Sequence, residues 1–119
     1  MRRQTVDNIM SYPVFSIDAN KLVKEAVDTM EKGNMKKILV TSKGKPIGVL
    51  EKWKITEADY DLKVSQIEPL GKFEIVPRGT ELSAVERALI NSSAVYVSEP
   101  DDQNKLVGVV TSYDLVKTF

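Results

Sequence analysis

Apolar residues run along this chain in short blocks, and the blocks come in the same order twice. Val14-Phe15-Ser16-Ile17 has the β-rich composition of a short strand. Val23, Ala26, Val27 and Met30 then fall at i, i+3, i+4 and i+7, which predicts one apolar stripe on a helix. Asn20 is placed to cap that helix, and Gly33 to end it in a left-handed conformation. Ile38-Leu39-Val40 predicts a second strand, Lys43-Gly44-Lys45-Pro46 a turn, and Ile47-Gly48-Val49-Leu50 a third strand. From Lys52 to about Ala58 the chain predicts a closing helix that carries Trp53 and Ile55.

The second pass keeps this order. Val64-Ser65-Gln66-Ile67 matches the opening segment Val6-Asp7-Asn8-Ile9-Met10, and Phe73-Glu74-Ile75-Val76-Pro77 matches the first strand. Ser65-Gln66-Ile67-Glu68 reads as a capping pattern at a helix start. Thr80 stands near the position of the capping asparagine, and Leu82, Val85 and Leu89 form the stripe with Ala88 beside it. Ala94-Val95-Tyr96-Val97 and Leu106-Val107-Gly108-Val109-Val110 are predicted strands, separated by a longer turn at Pro100-Asp101-Asp102-Gln103-Asn104. Ser112 to Lys117 starts a final helix.

The predicted fold is therefore α/β: two β-α-β-β-α repeats, residues 1–61 and 62–119, with the polar stretch Glu57–Lys63 as the junction. Gly48 and Gly108 lie 60 positions apart, and each allows close packing against its strand. A unit of about 60 residues buries only roughly 60% of its unfolded surface and is marginal alone. The repeats are expected to pack on each other about a pseudo-twofold axis, with a ligand cleft between them.

Charge and composition narrow the function. Lys plus Arg equals Asp plus Glu at 17 each, so no global field attracts nucleic acid or an anionic membrane, although Arg2, Arg3, Lys36 and Lys37 offer a local basic patch. No apolar run approaches the roughly 18 residues of a membrane span, and the start lacks a signal-peptide pattern. Cysteine and histidine are both absent. Their absence removes disulfides, the usual zinc sites, and Ser-His or Cys-His nucleophiles. A cytoplasmic location, no membrane partner and no metal are expected.

The order of elements, together with certain motifs, resembles a CBS domain pair (a Bateman module, named after cystathionine β-synthase). The motifs are Val6-Asp7-Asn8-Ile9-Met10, Val23-Lys24-Glu25-Ala26-Val27 with Met30, and Gly108-Val109-Val110-Thr111-Ser112-Tyr113-Asp114. The last fits a pattern of Gly, apolar, any, Thr or Ser, two residues, Asp. The resemblance covers nearly the whole chain. It implies a regulatory module, commonly a homodimer, that binds an adenosine-containing ligand: AMP, ADP, ATP or S-adenosylmethionine.

Asp114 is the first candidate for such a ligand. A carboxylate accepts from two ribose hydroxyls, and charge-assisted bonds are the stronger class. The Thr111 hydroxyl can reach a ribose or phosphate oxygen, with Val110 and Ser112 beside it and the helix start suited to a phosphate. Ile75, Val76, Pro77 and Val95 are the candidate adenine wall, and are also core residues in any reading. Thr-x-x-Asp is equally close to a capping box, in which the same two residues satisfy backbone donors. The two roles are compatible.

The first repeat departs from the pattern. Glu51 stands where Thr111 does, and Lys54 where Asp114 does. An ammonium accepts no hydrogen bond, so one nucleotide site per chain is expected. Lys54 and Lys52 are candidate phosphate contacts or solvated lysines, and Trp53 is expected to pack at an interface, with adenine stacking as the alternative. Met10 and Met30 are expected in the core.

Three functions remain open. A non-enzymatic adenine-nucleotide sensor with no required cofactor leads, acting on an effector protein. A ligand-free dimerisation scaffold is the alternative. Nucleic-acid binding ranks below both, and no catalytic cluster is evident.

Overall fold

The structure, a computed structural model, describes residues 4–118. The chain forms two compact units, one contiguous and one assembled from two segments. One is Phe15–Gly71; the other joins the opening segment, through Val14, to the chain from Lys72 onward.

In the unit spanning Phe15–Gly71, β1 (Ser16–Asp18), α1 (Val23–Lys32), β2 (Lys37–Ser42) and β3 (Lys45–Glu51) follow in order. The sheet runs β1-β2-β3, with β1 parallel and β3 antiparallel to β2. The helical stripe lands as the periodicity predicts: Val23, Ala26, Val27 and Met30 are buried against Ile38, Val40 and Leu50. Fully burying such a side chain contributes about 1.5–3 kcal/mol. Lys43 and Gly44 both take positive φ, 53° and 76°, which turns β2 into β3 with Ser42 opposite Lys45.

The ends of α1 differ from expectation. The capping position is Leu22, whose N–H is accepted by Glu25 Oε2 at 2.9 Å. Asn20 lies in the preceding turn, where its N–H donates to Asp18. Gly33 stays right-handed at φ −87°, and Asn34 takes the left-handed conformation instead, at φ 52°. Short polar side chains tolerate that conformation.

The first repeat closes in two 3₁₀ turns, Lys52–Lys54 and Glu57–Asp59, rather than in one helix. Ile55 and Thr56 between them are extended. A β-branched pair resists helix, and Thr56 becomes the start of a new turn when its N–H is accepted by Asp59.

The other unit repeats the architecture with β4 (Phe73–Pro77), α2 (Leu82–Leu89), β5 (Ala94–Glu99), β6 (Asp102–Val110) and α3 (Ser112–Thr118). Its sheet order is β4-β5-β6, again with one parallel and one antiparallel pairing. Strand β6 begins inside the stretch expected to be turn, and register shifts around Ser98 absorb the extra length. Val85, Leu89, Val95, Val97 and Val110 form the core, joined by Val6 from the opening segment. The α2 capping position is Glu81; Thr80 Oγ1 donates to the Pro77 carbonyl and closes the turn before it. Lys63 N–H is accepted by Gln66, so the turn at Val64–Gln66 is held by that pair and not by Ser65 with Glu68.

Each unit takes its opening segment from the other repeat. Ser11 bridges to Val109, and Val49 bridges to Gly71. Asp7 accepts from the Gly79 N–H at 2.7 Å and from Arg78 Nε at 3.1 Å, which fixes the opening segment on the β4–α2 turn.

Candidate functional site

Strand β6 delivers Val110 to the core, and the chain then turns at Thr111 into α3. Asp114 sits one turn in. Its Oδ2 accepts from the Thr111 backbone N–H at 2.8 Å and lies 3.4 Å from the Thr111 hydroxyl. The capping geometry is therefore realised. Asp114 is only 8% exposed, Thr111 is half-buried and Ser112 is exposed.

Capping alone does not mark a ligand site here. Thr56 and Asp59 form the same arrangement, with the N–H bond at 3.0 Å and the hydroxyl at 3.3 Å. That second Thr-x-x-Asp is legible in the sequence by spacing and was not singled out there. Burial distinguishes the two: Asp114 is withdrawn from water, while Asp59 is half-exposed. A buried carboxylate is stable only with donors around it, and the Thr111 N–H and hydroxyl are among them.

The expected apolar wall does not assemble on one face. Alternation along β4 turns Val76 toward the core and Ile75 and Pro77 to the opposite side. Val95 and Val110 pair across β5 and β6, and neither has exposed surface. Both belong to the core beneath the strand that leads into Thr111. Ile75 instead lies opposite Tyr96, whose ring meets Phe73 edge-on at 6.3 Å. Burial pushes the Tyr96 hydroxyl well above its ordinary pKa.

In the first repeat the same three-residue spacing carries inverted chemistry. Lys54 Nζ lies 3.4 Å from Glu51 Oε1, while Trp53 Nε1 donates to Glu51 Oε2 at 3.0 Å. Lys54 also sits 5.4 Å from the Trp53 ring centroid. Burial works against the charge on Glu51, but the Trp53 N–H and the Lys54 and Lys37 ammoniums outweigh it and hold the carboxyl below its ordinary value. Lys52 pairs with Glu31 at 3.6 Å. Both candidate phosphate lysines therefore have carboxylate partners. Trp53 is 75% exposed and is not a packed residue of its unit. Arg2 and Arg3 lie outside the described residues.

A shallow hollow of about 410 Å³ is lined by Gln4, Glu81, Leu82 and Ser83, and includes none of the expected site residues. Among the described residues no group of acidic side chains is arranged to hold a metal, and no helix is long and apolar enough to cross a membrane.

Comparison with known proteins agrees with this architecture. No curated protein matches the chain closely enough to count as a relative. Among solved structures, a hemolysin-like protein containing a CBS domain from Oenococcus oeni PSU superimposes with a TM-score of 0.78 at 16% identity, covering 97% of this chain and 89% of that one. The CBS domain pair of protein MJ0100, in complex with 5′-methylthioadenosine and S-adenosyl-L-methionine, gives 0.76 at 24% identity, over 99% and 97%. A protein with CBS domains from Burkholderia ambifaria MC40-6 gives 0.75 at 18%, over 97% and 93%. The CBS domain family model matches residues 6–61 and again 64–119. With two matches that span nearly its whole length, and two three-stranded sheets of one topology, the chain belongs to the CBS domain family as a tandem pair.

Proposed function

We propose that this CBS pair is a non-enzymatic regulatory module that binds one adenosine-containing ligand through the end of its second repeat. The observation that carries the reading is Asp114: a carboxylate withdrawn from water at the start of α3, beside the Thr111 hydroxyl. A carboxylate has about four acceptor positions, so the cap and a ribose diol can be served together. Thr111 and Ser112 supply hydroxyls beside it. Ile75 and Pro77, on the side of the sheet away from the core, remain the apolar candidates for the base. The CBS pair of MJ0100 was solved with two adenosine-containing molecules, which supports the ligand class.

The first repeat supports one site rather than two. Glu51 and Lys54 satisfy each other, and the ammonium offers a ribose no acceptor. Function then follows from differential affinity: the ligand shifts the module toward whichever arrangement binds it better, and an effector protein reads the shift. A homodimer and an intracellular setting complete the proposal.

Calorimetry against AMP, ADP, ATP and S-adenosylmethionine tests it. Binding of one equivalent is expected, weakened at least about tenfold by Asp114→Ala, equal to about 1.4 kcal/mol. A ligand at about 100 times its Kd adds about 2.7 kcal/mol of stability, readable as a thermal shift. If no adenosine compound shifts the melt, the module is a scaffold.

A further inference from the structure

Lys36 directly precedes β2 and Lys37 opens it, while Lys52, Trp53 and Lys54 follow β3. Far apart in sequence, they meet through the antiparallel register. Lys37 lies opposite Glu51, and the Lys52 N–H donates to the Lys36 carbonyl at 2.8 Å. Four ammoniums and one indole thus share one end of the β2–β3 ribbon. Two carboxylates stand among them, Glu51 with Lys54 and Glu31 with Lys52. The balance is locally positive in a chain whose net charge is zero.

The indole is held as well as exposed. Its N–H is bonded to Glu51, and Lys54 lies over the ring, while three quarters of the residue's surface (75%) meets water. A large ring already fixed in one pose loses little entropy when something stacks on it. Single-stranded nucleic acid uses both features, a base on the ring and phosphates on the lysines. An acidic peptide would use the lysines and leave the ring idle. Zero net charge disfavours binding through a global field, and the ribbon end meets the same need locally.

We propose that this end of the β2–β3 ribbon docks a single-stranded nucleic acid segment, with one base on Trp53 and phosphates on Lys36, Lys37 and Lys52. The site is independent of the adenosine ligand proposed for Asp114.

Trp53 is the single tryptophan of the chain, so its emission reports this surface alone. The intact protein is titrated at low salt with oligothymidylate and oligouridylate of about ten nucleotides, followed by Trp53 fluorescence and by the anisotropy of labelled oligonucleotide. Quenching is expected, with log affinity falling against log salt by about 0.7 per phosphate contacted. Trp53→Ala is expected to weaken binding about tenfold, read by anisotropy. Lys36→Gln should flatten the salt slope by about 0.7. Lys45→Gln, at the opposite end of the ribbon, should change neither. These side chains lie outside the core clusters, so the variants are expected to fold. Absence of binding, wild-type affinity in Trp53→Ala, or equal competition by polyglutamate would each overturn the proposal.

Discussion

Met10 lies directly over the α-carbon of Gly108, so that a methyl group on the glycine would fall 2.8 Å from Met10 Cγ. Leu70 covers Gly48 in the same manner, with its Cβ 2.6 Å from the same imaginary methyl. Both the covering residues and the glycines are separated by 60 positions. Each glycine is therefore a seat for the opening segment of the other repeat. Gly48→Ala and Gly108→Ala should each cost about 1–3 kcal/mol, the usual range for overpacking. Gly48→Ala should cost more, because Leu70 Cβ is fixed to the backbone while the Met10 side chain can swing. Thermal melts check the order, at about 4–8 °C per kcal/mol for a domain near this size. Equal melting temperatures for both variants and the wild type would remove the seat.

Asp114 carries a cap and, by proposal, a ligand, and two substitutions separate these roles. Asp114→Ala loses both and should lower stability by about 0.5–2 kcal/mol. Asp114→Asn keeps an acceptor for the Thr111 N–H and should retain most of that stability, yet it loses the charge that strengthens a ribose bond. Denaturant melts beside calorimetry show the split. Full ligand affinity in Asp114→Asn would show that the charge plays no part in binding.

Glu51 and Lys54 occupy the places of Thr111 and Asp114, and exchanging them should create a site. The double variant Glu51→Thr, Lys54→Asp restores an acceptor at the fourth position, so the calorimetric stoichiometry should rise from about one to about two. An unchanged stoichiometry, with the fold intact by circular dichroism, would show that the first repeat lacks more than these two side chains.

The hold of Glu51 on Trp53 should depend on pH. Its folded pKa lies below the ordinary value, so its charged bonds contribute stability above the unfolded pKa and lose it as pH falls through the folded one. Trp53 emission should stay constant from neutral pH into the ordinary glutamate range, then shift with a midpoint below 4.5. A midpoint at or above that value would mean that Trp53 and the two lysines do not stabilise the carboxylate.

Much of this protein was readable one segment at a time. The stripe Val23, Ala26, Val27, Met30 is buried as its spacing predicts, and the strand blocks all pair. Those features depend on period and on near neighbours, which a sequence displays. Local competition was harder to see: Asn34 rather than Gly33 takes the left-handed turn, and the β-branched pair Ile55-Thr56 splits a helix into two short turns.

Other relationships were invisible until strands paired. Val95 and Ile75 both read as apolar wall, but pleat parity sends one into the core and the other away from it. Lys36 meets Lys52 only because β2 and β3 run antiparallel in a particular register. The exchange of opening segments, Met10 to Gly108 and Leu70 to Gly48, joins residues a whole repeat or more apart or across its boundary. Local propensity carries no information about such pairings. They follow from which surfaces gain most by leaving water together, and that choice is made only when the whole chain folds.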